Sequence, residues 1–453
     1  MKEELDDMIQ RLTFMAENHD DEGLKAAMED MHPADVAELV GDLDTVTAEH
    51  VLMMLDEETQ ADVLMELDED ERRKLLDRMP TEVIAQQLEN LDTDDAVDLI
   101  QELDEEDRDE VIAQIDDMEQ AGDIIDLLKY DDDTAGGLMG TEMIVVNENW
   151  SMPECLKQMR IQAEDMDEIY NIYVVDDDNR LKGVFPLKTM VTHTSVSKIK
   201  HVIEAEPLSA KTDTPIDDVA LDFEKYNLVA MPVVDSIGRL VGRITVDDIM
   251  DHLREQQERD YQLASGISTD VDTDDSVLSQ TRARIPWLLI GICSGIIASI
   301  ILGGFEDKIH AVTALALFIP IIGGTGGNVG VQASAIVVQS LANGTLEISD
   351  FGRQIGKELL VGLLNASIIS AVMLSYNLIF LPNNFAVTLS VAVSLFVVVM
   401  FATILGSVVP LTLEKLGINP ALATGPFIQI SNDIVGLIIY VLISSWLLGI
   451  LPN

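Results

Sequence analysis

A chain of 453 residues, 47% apolar and 24% charged, has the averages of an ordinary soluble protein, yet its net charge of −53 is confined to one part. From Ile285 onward there are seven acids and four bases, whereas the first 284 residues hold the other 74 acids and 24 bases, a net of −50. So acidic a half argues against nucleic acid or anionic lipid as a partner, and its self-repulsion is relieved by cations that screen the acids or bind among them; a saline-adapted surface is the competing reading.

The two cysteines, Cys155 and Cys293, lie in different halves, which leaves no disulfide framework and no thiolate metal cluster. The opening MKEELDDM lacks a basic region followed by an apolar run. No cleavable signal is expected, and the acidic half is expected in the cytoplasm.

An apolar-Asp step recurs at an interval of 12: Leu43-Asp44, Leu55-Asp56, Leu67-Asp68, Leu91-Asp92, Leu103-Asp104 and Ile115-Asp116, with Met79-Pro80 in the remaining place. Each Asp suits the N-cap of a short helix, the acids after it favour the positive end of the helix dipole, and a helix start tolerates proline. Residues 1–132 therefore read as an acidic all-α superhelix of two- to three-turn units, with Val63, Leu64, Leu67, Leu75, Leu76, Val97, Ile100 and Leu103 in its core. Asp94, Asp95 and Asp98 suit a hard divalent cation, which takes oxygen ligands; solvated caps are the alternative.

After Tyr130, the turn-rich DDDTAGGLMG marks a boundary. A helix candidate at 152–159 precedes a hairpin at 169–185, and the pattern repeats with a helix at 216–226 and a hairpin turning at Asp235-Ser236-Ile237-Gly238. With MPVVD, GRLVG and GRITVDD, this α/β repeat resembles a tandem CBS-domain pair, at 135–199 and 200–254. The resemblance implies an ATP or other adenine-nucleotide site in which Thr245 and Asp248 hold phosphate and ribose. In the first unit Pro186 and Thr189 stand where that pair would be. Residues 246–284 form the connector, and its first part, free of Gly and Pro up to Gly266, reads as one long helix with Asp247, Asp248 and Asp251 in its first turns.

Five apolar stretches, 285–304, 311–341, 354–381, 386–413 and 420–448, are each long enough to cross a bilayer. Arg282, Arg284, Arg353, Lys357 and Lys415 against Lys308 place the N-terminal half in the cytoplasm and the C-terminus outside. An odd number of spans favours a homodimer with the pore on its two-fold axis. Asp433 is the single ionisable residue of 420–448. A charge near the bilayer centre costs about 2.5–3.5 kcal/mol, so Asp433 is expected to face a wet cavity, the alternative being a structural bond through Asn432 or Ser431. The glycines of PIIGGTGGNVGVQ, 320–332, either expose carbonyls of a broken helix to a water path or let helices pack closely. No phosphate-binding P-loop is present, which argues against a pump.

Taken together, GFEDKIHAVTALALFIP, PIIGGTGGNVGVQ, NPALATGP and SNDIVGLIIY closely resemble the MgtE family of magnesium channels and transporters, over essentially the whole chain. The resemblance implies a multidomain, non-enzymatic homodimer of the cell membrane: an all-α superhelical N domain, a CBS pair, a plug helix and a polytopic α-helical domain of five transmembrane helices at 285–453. It implies Mg2+ uptake through a pore that selects hydrated Mg2+ at Asp433, lined by Asn432, Gly327 and Asn328. It also implies closure by cytoplasmic Mg2+ bound at Asp94, Asp95, Asp98, Asp217, Asp248 and Asp251. A broader divalent transporter (Mn2+, Co2+) and a non-conducting Mg2+ or nucleotide sensor are the alternatives. An acidic family position before MPVVD is Asn227 here.

Overall fold

The computed structural model describes residues 2–163, 166, 169–192, 198–201, 203–269, 271, 276–305, 313–343, 345–346, 351–380 and 385–450. They form two compact units, Met1–Leu253 and Arg254–Asn453. Lys308, on which the expected sidedness partly rests, lies outside the described residues.

The first unit begins with short helices: α1 (Lys2–Glu17), α2 (Asp21–Met28), α3 (Pro33–Gly41), α4 (Thr45–Leu52), α5 (Glu57–Glu66), α6 (Glu69–Leu76), α7 (Thr81–Leu88), α8 (Thr93–Glu102), α9 (Glu105–Ile112) and α10 (Met118–Leu127). The 12-residue step sets their starts. Asp44 accepts from Val46 N–H and Thr47 N–H, and Asp56 accepts from Thr59 N–H. Asp68, Asp92 and Asp104 hold the cap position without accepting such a bond, and Pro80 stands there before α7. At the last repeat the cap moves by one residue, from Asp116 to Asp117. Helices pack on the next but one, as α3 on α5, α5 on α7 and α7 on α9. Arg72 donates to the carbonyls of Leu64, Met65 and Leu67 at the end of α5, and Arg108 does the same to Gln101 and Leu103 at the end of α8. Carbonyls left over at two helix ends are thereby satisfied at equivalent points of the repeat.

Two similar α/β units follow. The first has β1 (Ile144–Asn147), α11 (Met152–Gln162), β2 (Asn171–Val175), β3 (Leu181–Pro186), α12 (Leu187–Thr192) and β4 (Glu204–Ala205), in sheet order β1-β2-β3-β4. The second has β5 (Ala210–Lys211), α13 (Ile216–Tyr226), β6 (Ala230–Val234) and β7 (Leu240–Thr245), in order β5-β6-β7. Each sheet has one parallel pair and then a hairpin, and each hairpin slips register at the same point, Val174/Val175 and Val233/Val234. The two turns meet, with Leu181 N–H donating to Gly238 O and Leu240 N–H to Asn179 O. A single apolar core runs from the helical repeat into the second sheet through Ala135, Met139, Ile216, Met231 and Ile249. Asn227 ends α13 in the left-handed conformation, φ 51°, which suits an Asn and gives that residue a local reason.

Helix α14 (Val246–Ser265) leaves β7 directly and stops at Gly266, φ +82°. In the second unit, α15 (Val277–Gly304), α16 (Ile319–Ala342), α17 (Phe351–Phe380), α18 (Phe385–Lys415) and α19 (Gly425–Ile450) are long and apolar enough to span a membrane. The first of them starts eight residues before the expected 285. Helix α18 is central, packing on α16, α17 and α19.

The glycine run does not break α16. Close packing is the reading that holds: a Cβ on Gly330 would overlap Asn432 and Ile428, and one on Gly406 of α18 would overlap the Gly330 carbonyl. Small residues bring helix backbones together where lipid gives no hydrophobic drive to associate.

Candidate cation sites

In the first unit, carboxylate oxygens of Asp92, Asp94 and Glu142 lie within 4.8 Å of one another. Asp92 and Asp94 flank the start of α8. Glu142 comes from the segment before β1 and is held there by Thr93, whose N–H and hydroxyl donate to it at 3.1 and 3.2 Å. Gly140 leaves the space: a Cβ on it would sit 2.9 Å from Asp94 and 3.0 Å from Glu142. Asp248, in the first turn of α14, is near enough for its charge to act on Asp94 and Asp95, and accepts from the N–H (2.8 Å) and hydroxyl (2.6 Å) of Thr245.

The acids are strained as a group. Burial, followed by the charges of Asp248, Asp95, Glu142 and Asp92, holds the Asp94 carboxyl well above the carboxylate range. Asp95 is pushed up to about 7, first by burial and then by Asp248, Asp98 and Asp92. Burial also raises Glu142 and Asp248, against their hydrogen bonds from Thr93 and Thr245. Oxygen donors that raise one another's proton affinity fit a hard cation, which replaces the protons they would otherwise hold.

Of the residues expected to sense cations, Asp94, Asp95 and Asp248 thus come together, with Asp98 exposed at the edge beside Asp95. Asp217 and Asp251 are exposed. Asp217 lies 3.7 Å from His252 Nε2, a separate group on α13 and α14. Thr245 and Asp248, read as nucleotide contacts, engage each other across the start of α14. Glu142, Gly140 and Arg243, whose Nη2 donates to Asp92 at 3.1 Å, had no local pattern to reveal them.

In the second unit, a cavity of about 1100 Å³ is lined by α15, α16, α19 and the end of α14. Asp433 faces it, with Gly323, Gly324, Pro320 and Gln429. A Cβ on Gly323 would lie 3.2 Å from Asp433 Oδ1, so the glycine makes room for the carboxylate. Asn432 points away; it is fully buried and donates to Gly326 O at 3.3 Å. Gly327 packs on Gln429, and Asn328 is exposed outside the cavity wall. Ala264 and Ser265, the last residues of α14, line the same cavity, and Asn419 Nδ2 donates to Asp260 of α14 at 2.8 Å.

An acidic helical repeat, a CBS pair and five membrane-length helices with a carboxylate facing the cavity among them define a multi-pass transporter of cations. Residues 319–443 match the divalent cation transporter model MgtE, 31–133 the MgtE intracellular N domain, and 135–194 and 199–255 the CBS domain. The chain belongs to the MgtE family. The magnesium transporter MgtE of Thermus thermophilus is 36% identical over 328 residues, 71% of this chain and 72% of that one. The magnesium transporter MgtE of Enterococcus faecalis is 31% identical over 327 residues, 72% of each. The crystal structure of the cytosolic domain of the Mg2+ channel MgtE in complex with ATP aligns over 54% of this chain and 99% of its own, with 32% identity and a TM-score of 0.51. The soluble part of a magnesium transporter aligns over 56% and 99%, with 27% identity and a TM-score of 0.51. These relatives make magnesium the cargo of the family to which the chain belongs.

Proposed function

We propose that the chain forms a homodimeric, Mg2+-selective uptake channel of the cell membrane that cytoplasmic Mg2+ closes. One observation carries the reading: a single helix, α14, bears Asp248 of the carboxylate cluster in its first turn and lines the Asp433 cavity with its last residues. At 1.5 Å per residue its 20 residues span about 30 Å. When Mg2+ is scarce, repulsion among Asp92, Asp94, Asp95, Glu142 and Asp248 opens the cluster and shifts the start of α14. Bound Mg2+ draws the acids together and seats the helix end at the cavity. Asp98, and Asp217 with Asp251 beside His252, supply outlying ligands.

Asp433 attracts Mg2+ and orients its water shell, because Mg2+ gives up water reluctantly and the cavity is wide enough for a hydrated ion. Asn432 braces that wall through Gly326, Gly327 packs behind Gln429 of the wall, and the exposed Asn328 belongs to the face that the second copy completes. The acidic half lies in the cytoplasm and the C-terminus outside. A membrane potential drives a dication inward by about 4.6 kcal/mol per 100 mV, enough without ATP hydrolysis. ATP bound by the solved MgtE cytosolic domain supports an adenine nucleotide as a second ligand, at Thr245 and Asp248 of the CBS pair.

Mg2+ flux into liposomes, measured across internal Mg2+ concentrations, tests this. Flux should fall as internal Mg2+ rises, and Asp433→Ala should cut it at least about tenfold. Unchanged entry through Asp433→Ala would refute the pore assignment, and equal Mn2+ or Co2+ flux would favour the broader transporter.

A further inference from the structure

Strand β7 carries Arg243 into the carboxylate cluster. The strand is pinned at that residue, whose N–H donates to Gly140 O and whose carbonyl accepts from Gly140 N–H, both at 2.9 Å. Gly140 is the residue packed against Asp94 and Glu142, so the guanidinium enters from a fixed backbone. Its side chain is only 11% exposed, Nη2 donates to Asp92 Oδ2 at 3.1 Å, and the Tyr170 ring lies 5.8 Å away. Asp92 is one of the three acids whose oxygens converge. An arginine is charged at every physiological pH and, being attached to the chain, does not dilute away when cations are withdrawn. Arg243 acts to lower Asp248, whereas Arg72, the base felt at Asp95, is committed to Glu102 and to the carbonyls at the end of α5.

We infer that Arg243 is a tethered cation of the sensing site, neutralising Asp92 where a further divalent ion would otherwise be required, and so lowering the Mg2+ concentration at which the cluster closes. The inference rests on the cluster being a Mg2+ site. Five carboxylates, Asp92, Asp94, Asp95, Glu142 and Asp248, with one guanidinium leave four negative charges, which two Mg2+ ions balance. Without the guanidinium, two ions leave one charge over.

The test uses the full-length protein in detergent, with Mg2+ binding followed by equilibrium dialysis and closure by protection of α14 from protease. In Arg243→Gln the protection midpoint should rise about fivefold, with a steeper dependence on Mg2+, while protection at saturation stays complete. Arg243→Lys, which keeps the charge, should stay within about twofold of wild type. Asp92→Asn combined with Arg243→Gln restores the charge balance and should bring the midpoint back within about twofold, which also controls for misfolding of the single variant. An unchanged midpoint in Arg243→Gln, or a double variant as impaired as the single one, would overturn the inference while leaving the Mg2+ site standing. A wild-type protein that neither binds Mg2+ nor gains protection from it would overturn both.

Discussion

At Asp95 the folded chain holds a proton more tightly than the unfolded chain does, since its carboxyl is raised from 3.8 to about 7. Its contribution to stability is therefore complete below the unfolded value and is lost as pH rises toward about 7. In chelator, thermal stability should decline between about pH 4 and 7, by at most a few kcal/mol, and Asp95→Asn should lessen that slope, with Asp94, Glu142 and Asp248 supplying the rest. Added Mg2+ should flatten it, because the ion takes the proton's place; a wild-type slope unaffected by Mg2+ would count against cation binding there. The places of Asp94 and Asp95 in the cluster are legible from their acidic, cap-adjacent spacing, whereas Asp98, expected with them, is exposed at its edge. Glu142 and Arg243 are not legible, because they reach the α8 start from 49 and 151 residues away in the chain, and no local period records such a meeting. Asp433 was legible because a lone carboxylate in an apolar stretch is costly wherever it sits. Its neighbours Gly323 and Gln429 depend on how α16 and α19 cross.

Helix α14 shows what the sequence reveals of an element and what it conceals. Its length and its stop at Gly266 follow from propensity and from the absence of earlier glycine or proline. Its use of Thr245 and Asp248 to hold its own first turn is a property of the folded chain. Thr245→Ala removes a hydroxyl bonded to a carboxylate and should loosen that turn by about 1 kcal/mol, seen as faster amide exchange at its start. At the other end, Asn419 caps the turn Pro420–Ala423 through Ala421 N–H while its amide holds Asp260. Asn419→Asp keeps the cap but sets two carboxylates together, so internal Mg2+ should no longer shut flux fully; complete inhibition would show that this bond does not couple the helix to the cavity. The glycines of α16 were ambiguous for a plain reason: a run of small residues looks the same whether it breaks a helix or lets another approach. Gly330→Ala should destabilise the second unit by about 1–3 kcal/mol, read as a lower Tm in detergent.

Over the whole molecule, the charge of −53 belongs to two different populations. Most acids cap or flank helices in the open, where about 0.15 M salt screens them within roughly 8 Å. The Asp94 group is partly buried and screened less. Titrating NaCl into the metal-free protein should raise Tm to a plateau, and millimolar Mg2+ should then raise it again. A single transition exhausted by NaCl would mean that the acidic surface is only a solvated one. The architecture of helical repeat, CBS pair and membrane helices was open to the sequence because each part has its own period, 12 residues, a repeated hairpin and five long apolar runs.

Where the end of α14 meets the corner before α19, two glycines permit the approach, Gly425 against main chain and Gly266 against the Pro426 ring. A Cβ on Gly425 would overlap the Ala264 carbonyl, and one on Gly266 would run into Pro426. At Gly425 the neighbour is a carbonyl, which has no rotamer by which to yield, so a single methyl there becomes a wedge. If α14 gates the cavity as proposed, Gly425→Ala should prop the helix end off its seat and leave Mg2+ flux that persists at saturating internal Mg2+, although the carboxylate cluster is untouched.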